Sequence, residues 1–114
     1  MKDDRLYLIH ISECIGRIQE YVCGGREAFM ASTLIQDAVV RNLQTLAESS
    51  QRLSEGHKTK HPEVDWRGIG GFRNVLVHDY LGIDVERVWD VVEKDLPDLK
   101  AKVASILRGL EEKP

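Results

Sequence analysis

The sequence predicts an all-α protein, an antiparallel bundle of four or five helices, and three observations support that expectation. Aliphatic residues recur at spacings of three and four along most of the chain, the mark of helices with one apolar stripe. Aromatic residues are only 6% of the 114, and the abundant aliphatics fall at helical spacing, which disfavours a small β-barrel. Three prolines are few enough to leave long helical runs uninterrupted. With 42% hydrophobic and 31% charged residues, the chain is too apolar to be disordered, and its apolar runs are too interrupted to span a membrane. Its length suits one domain over residues 1–114 with a modest core, to which burial against a second subunit would add.

The first helix is expected from Asp3 to Val22, where Leu8, Ile11, Ile15, Ile18 and Val22 form one stripe. Asp3 and Asp4 supply caps and negative charge at its start, and Cys23-Gly24-Gly25 breaks it. A second helix begins between Arg26 and Thr33, carries Ile35, Val39, Asn42, Leu46 and Leu53, and continues to about Ser54. Asn42 interrupts its stripe and needs hydrogen-bond partners. Glu55 to Asp65, with Gly56 and Pro62 and no apolar periodicity, is expected to be a polar loop.

A third helix from Trp66 to about Tyr80 would place Ile69, Phe72, Leu76 and Tyr80 on one face. Gly68, Gly70 and Gly71 would each weaken it by roughly 1 kcal/mol against alanine, and they permit close approach by a backbone or a ligand. Asp84 caps a helix through Val85, Val88, Trp89 and Val92. Pro97 suits the first turn of the last one, which uses Leu99, Val103, Ile106, Leu107 and Leu110.

A formal net charge of -3 excludes a general polyanion binder, so any nucleic-acid site is local. Lys58, Lys60, Arg67 and Arg73 outnumber Glu63 and Asp65 between residues 57 and 73, a stretch able to guide RNA or equally to be a solvated loop. Asp84, Glu86, Asp90, Glu93, Asp95 and Asp98 make the following helix acidic, a face for solvent or a protein partner. Cys14 and Cys23 match neither a zinc nor a redox spacing, and no signal-peptide pattern precedes the first charged helix. Reduced thiols in the cytoplasm are therefore expected. His57 and His61 have the i,i+4 spacing of helical metal ligands, but the loop assignment and the want of a third ligand argue for no metal there. The glycines at 68, 70 and 71 lack the lysine and hydroxyl residue of a P-loop, and no cofactor is expected. Trp66 and Trp89 are expected to be packing anchors.

Arg73-Asn74-Val75-Leu76-Val77-His78-Asp79-Tyr80 is the one stretch that crowds guanidinium, amide, imidazole, carboxylate and phenol together. One reading is structural: Arg73 pairs with an acid, Asn74 and His78 stack four apart, and Tyr80 caps the core. The other is phosphodiester cleavage in RNA, which needs a base for the 2'-hydroxyl, an acid for the departing 5'-oxygen and a cation for the pentacoordinate phosphate. Histidine is the natural acid or base near pH 7, and arginine's planar fork suits phosphate oxygens. On a regular helix, five residues amount to about 140° of rotation, so Arg73 and His78 would not share a face. Either the helix frays before His78, helped by Gly82, or the site is shared by two chains around a twofold axis, with two histidines and two arginines.

Arg73-Asn74, His78 and Tyr80 together form R-x4-H-x-Y within R-N-x3-H-x-Y, which resembles the signature of the HepT family of HEPN ribonuclease toxins. The resemblance covers most of the chain. It extends to Asp37-Ala38-Val39-Val40-Arg41-Asn42-Leu43, to Trp66-Arg67-Gly68-Ile69-Gly70-Gly71-Phe72, and to Gly82-Ile83-Asp84, Val88-Trp89 and Asp95-Leu96-Pro97. Ala47-Glu48-Ser49 and Phe72 depart from the commoner Gly-Glu-Ala and methionine, departures that touch packing more than chemistry. The resemblance implies a single HEPN-like helical domain that forms a homodimer with a metal-independent RNA-cleaving site between facing motifs. It assigns His78 as acid or base, Arg73 to the phosphate, Asn74 to orientation, and Asp37 and Arg41 to support. An i,i+4 ion pair between Asp37 and Arg41 is the competing reading. It further implies a toxin acting on tRNA or another structured RNA and an MntA-type minimal nucleotidyltransferase antitoxin that silences it by adding AMP to Tyr80. Negative phosphates beside the cleft would repel RNA. The alternative function is a non-catalytic bundle that dimerises and docks the nucleotidyltransferase.

Overall fold

The computed structural model describes residues 3–72, 77–78 and 82–112, with the backbone alone at Val77, His78, Ile83 and Glu112. The fold is all-α apart from one two-residue strand pair. Helix α1 (Asp4–Tyr21) starts where the Asp3 carboxylate accepts from the Arg5 N–H at 3.0 Å. It buries Leu8, Ile11, Cys14, Ile15 and Ile18. Gly25, at φ +87°, makes the turn that a side chain would strain and opens a short α2 (Gly25–Ala31).

Helix α3 (Thr33–Gln51) is separated from α2 by Ser32, whose extended backbone ends one helix while its hydroxyl accepts from the Ile35 N–H to cap the next. The Gln36 amide closes the joint by donating to the Phe29 and Met30 carbonyls at 2.9 and 3.2 Å. Asn42 finds its partner within the helix, donating to the Ala38 carbonyl at 2.9 Å.

Side-chain bonds fix the directions of the long helices. Asp4 at the start of α1 bonds Ser54 beyond the end of α3, so these two run antiparallel. Lys100 donates to Gln19 at 2.8 Å and Arg5 lies 3.9 Å from Glu111, so the last helix also runs antiparallel to α1. Between these helices lie fully buried Leu8, Ile11, Ile15, Ile18, Val39, Leu43, Leu46 and Val103, each worth roughly 1.5–3 kcal/mol of burial. Phe29 joins the same core and stacks on Trp89, with ring centroids 5.3 Å apart.

Three expectations are corrected. Glu55–Lys60, expected as loop, is a helix, α4. The Ser54 hydroxyl caps it by accepting from the His57 N–H at 3.1 Å, Glu55 stands in its first turn, and Lys58 and Lys60 suit the negative end. The third helix does not run to Tyr80. Helix α5 (Trp66–Gly70) is short, and strand β1 (Val77–His78) is extended and antiparallel to β2 (Gly82–Ile83), in the register Val77 with Ile83 and His78 with Gly82. Three glycines near the start lower the helix's own stability, and Gly82, at φ +80°, supplies a left-handed turn residue that a helix would not use.

Finally, the two helices expected around Pro97 are one. Helix α6 (Val85–Asp90), capped by Asp84 accepting from the Arg87 N–H, passes through a π-turn at Val91–Asp95 into α7 (Leu96–Glu112). The Leu96 N–H reaches back to the Val91 carbonyl. That wider turn makes room for the Pro97 ring, which has no N–H and would clash with the carbonyl four residues before it. Among the described residues no helix is long and apolar enough to cross a membrane.

Candidate functional site

The lead-in to the Arg73–Tyr80 stretch is built from α4, the turn after it, and α5. Asp65 caps α5 by accepting from the Gly68 N–H at 2.9 Å. A Cβ at Gly68 would lie 2.3 Å from that carboxylate, so glycine is needed for the cap to close. A Cβ at Gly70 would meet the Gln51 side chain at an ordinary van der Waals distance of 3.4 Å, so α5 lies beside the end of α3. Phe72, buried, anchors the last turn before Arg73.

Arg73, Asn74 and Tyr80 lie outside the described residues, as do the side-chain contacts of His78. The backbone of His78 stands in β1, opposite Gly82. His78 therefore stands in extended backbone rather than in a regular helix. Asp37 and Arg41 sit on the exposed face of α3, and among the described residues no ion pair joins them. Lys60 and Arg67 are exposed. Lys58 is less available, with 19% of its side chain exposed and its amine 3.8 Å from Glu55.

A groove of about 740 Å³ opens beside this lead-in, between α5 and the π-turn. Its floor is apolar, from Val64, Ile69, Phe72, Val91 and Leu99, and Phe72 links it directly to the start of the motif. On its rim Lys94 and Lys102 lie 4.0 and 2.9 Å from Asp90 and Asp98, which pairs two of the six acids of the run on α6 and α7. Sequence reasoning missed the groove because the π-turn leaves no periodic signature. Pro97 in the middle of an apolar helical pattern was the available sign.

The corner between α1 and α4 was also missed. The Asp4 carboxylate accepts from the Ser54 N–H at 3.0 Å and from its hydroxyl at 2.7 Å. His57 is buried, 8% exposed, with its ring 4.6 Å from that of His61 and 6.0 Å, edge-on, from that of Trp66. His61 places Nδ1 3.2 Å from the Glu63 carboxylate, while its carbonyl accepts from the Trp66 indole N–H at 3.0 Å. Burial pulls the His57 pKa below its usual value, helped by His61 and Lys60 and opposed by Asp4 and Glu63. Burial pushes Asp4 upward, but the two Ser54 bonds and His57 more than offset it, so its carboxyl sits below the ordinary range. Ser54, three residues before His57 and followed by Glu55, was the sequence sign that a helix starts here.

Comparison with known proteins adds to the geometry. The family described as Ribonuclease HepT-like matches residues 11–106, a span that includes Arg73, His78 and Tyr80. A protein of Methanocaldococcus jannaschii named "Gamma-glutamylcyclotransferase and putative RNase" is 34% identical over 96% of this chain, which spans about half of that relative's length. "Probable ribonuclease HepT" of Thermococcus cleftensis is 37% identical over 84% of this chain and 88% of its own. A "Putative RNase" of Caldanaerobacter subterraneus subsp. tengcongensis is 33% identical over 95% and 97%. No solved structure matches the chain.

Proposed function

The chain belongs to the HepT-like ribonuclease family, and on that premise we propose that it is a metal-independent endoribonuclease whose Arg73 and His78 act on an RNA phosphodiester at the interface of a homodimer. The observation that supports this most is the position of R-x4-H-x-Y, Arg73 to Tyr80, inside the family match. The extended backbone at Val77–His78 adds support, since it frees His78 from the helical register that would turn it away from Arg73.

In the reaction, one imidazole takes the proton of the 2'-hydroxyl as that oxygen attacks phosphorus. The 5'-oxygen leaves with a proton from a second imidazole, and the guanidinium steadies the charge on the equatorial oxygens. The one motif histidine of each chain, His78, would fill both roles only if two chains meet, which is the argument for a dimer. Asn74 would orient His78 or Arg73. Exposed Asp37 and Arg41 on α3 would support the site, and Lys60 and Arg67, with Lys58 contributing less, would draw RNA toward it.

The substrate proposed is tRNA, and the setting a toxin–antitoxin pair. An MntA-type nucleotidyltransferase would silence the enzyme by transferring AMP from ATP to the Tyr80 phenolic oxygen, with release of pyrophosphate. The added negative charge two residues from His78 would repel RNA.

The test is cleavage of total tRNA in EDTA by the wild type and by Arg73→Ala and His78→Ala, each shown to dimerise. Loss of about 10²-fold or more in both variants is expected. Cleavage unchanged in His78→Ala would overturn the assignment, and wild-type protein free of AMP that cuts nothing would favour a docking module. Mass increments of one AMP unit, absent from Tyr80→Phe, are expected after incubation with the antitoxin and ATP.

A further inference from the structure

Helix α4 buries one residue, and its side chain is titratable. No other residue of α4 is buried, so the His57 imidazole is what packs this helix against the body. We propose that His57 is an acid-triggered latch: on taking up a proton its ring leaves its niche, and α4 opens together with the turn that leads to Trp66, while the bundle of α1, α3 and α7 stays folded. The latch belongs to the fold and does not rest on the ribonuclease reading.

The niche is built for a neutral ring. His57 Nε2 is sealed from solvent and has no hydrogen-bond partner among the described residues. In the imidazolium both ring nitrogens carry hydrogen, so a charged N–H would stand where nothing accepts it. The neighbours are also the wrong ones for a cation. A second imidazole, that of His61, lies 4.6 Å away between ring centroids, and Trp66 stands edge-on at 6.0 Å. His61 has the Glu63 carboxylate 3.2 Å from its Nδ1 to hold a proton, and once charged it faces His57 as a like charge.

The charged groups around His57 come from every side and do not rescue its cation. Helix α1 and its cap bring Asp3, Asp4 and Arg5 to the adjoining cavity of about 510 Å³, and α4 brings Lys60. Leu110 of α7, uncharged, lines the same cavity, and Glu111 lies 3.9 Å from Arg5. Asp3 already accepts from the Arg5 N–H, and Asp4 from the N–H and hydroxyl of Ser54. Burial is the largest influence and holds the His57 pKa below its ordinary value; His61 and Lys60 add to it, and Asp4 and Glu63 oppose it.

The direction of the response follows. A histidine whose pKa is lower when folded binds more protons when open. Helix α4 is therefore secure above the ordinary histidine value of about 6.5 and loses stability as pH falls through it toward the lowered folded value. The carboxyls of Asp4 and Glu63 sit below their ordinary ranges and keep their charge at pH 5, so the Asp4–Ser54 tie persists where His57 lets go. Opening would break the Ser54 cap on the His57 N–H and the bond from the Trp66 indole to the His61 carbonyl, both on the approach to Arg73.

The experiment follows hydrogen exchange by NMR in the full chain from pH 7.5 to 5.0, corrected for the intrinsic rate at each pH. RNA cleavage is not the readout, because an imidazole in the chemistry would titrate over the same range. The local reporters are the amides of Lys58 and His61, bonded to the carbonyls of Ser54 and Lys58, and the Trp66 indole N–H. Their protection should fall at least tenfold by pH 5.0, while that of the Leu43 amide in the core changes less than twofold. His57→Phe, which keeps a ring but takes no proton, should hold its protection across the range, and His10→Gln should respond as wild type does. The His57 ring resonances of the wild type give a reading that needs no variant: a titration midpoint below that of the denatured chain is expected. A midpoint at or above it, protection that does not change with pH, an equal fall at Leu43, or an equal fall in His57→Phe would each overturn the latch, whatever the fate of the ribonuclease.

Discussion

Helices α1, α3 and α7 are held by many buried aliphatic side chains, whereas α4 and α5, six and five residues long, bury one residue each, His57 and Ile69, and start from side-chain caps. Ser54 and Asp65 each start one of the short helices with a single side-chain oxygen, two bonds to Asp4 tie the segment to α1, and the His61 carbonyl joins α4 to α5 by accepting from Trp66. The long helices draw stability from area, which no single contact controls. The short ones depend on a few directional bonds, so single substitutions reach them selectively.

The largest stability effect should come from the body. Leu43→Ala, at a position with no exposure, should cost about 2–5 kcal/mol in urea unfolding followed by circular dichroism. A cost below about 1 kcal/mol would mean that the core is looser than its burial implies. Ser54→Ala should cost about 1–2 kcal/mol, since it removes the α4 cap and leaves Asp4 without its donor hydroxyl. Hydrogen exchange should show that loss concentrated in residues 55–60, and a loss spread evenly over α1 and α3 would erase the contrast between the two regions. Gly68→Ala should cost about 1 kcal/mol by displacing the Asp65 carboxylate, with Asp65→Ala giving a similar loss and the double variant little more. The smallest effect is a reactivity: Cys23, exposed, should react with a thiol reagent in the native protein, and Cys14, buried with its thiol pKa pushed up, only on unfolding.

The contrast also sets what the sequence could show. The body was legible because Leu8, Ile11, Ile15 and Ile18 repeat at helical spacing, and so do Val39, Leu46 and Val103 with their neighbours. The capped segment was not, because six residues give no periodicity to read and Gly56 and Pro62 mimic a loop. Helix three was overextended for the opposite reason. Ile69, Phe72, Leu76 and Tyr80 keep helical spacing through a stretch whose Val77 and His78 are extended. Pro97 suggested a helix start, and only the π-turn before it shows how one helix accommodates it. For the candidate site, residue types and order were legible in R-x4-H-x-Y, whereas the buried environment of His57 depends on Asp4, Ser54 and Trp66 from distant or separately capped segments.

We propose that His78 and Arg73 cleave RNA by attack of the neighbouring 2'-hydroxyl, with no metal taking part. The measurement that meets this claim most directly is the identity of the new ends after tRNA is cut in excess EDTA. The account predicts 2',3'-cyclic phosphate on one fragment and 5'-hydroxyl on the other, lost with His78→Ala. Fragments bearing 3'-hydroxyl and 5'-phosphate, or cutting that requires a divalent ion, would contradict it.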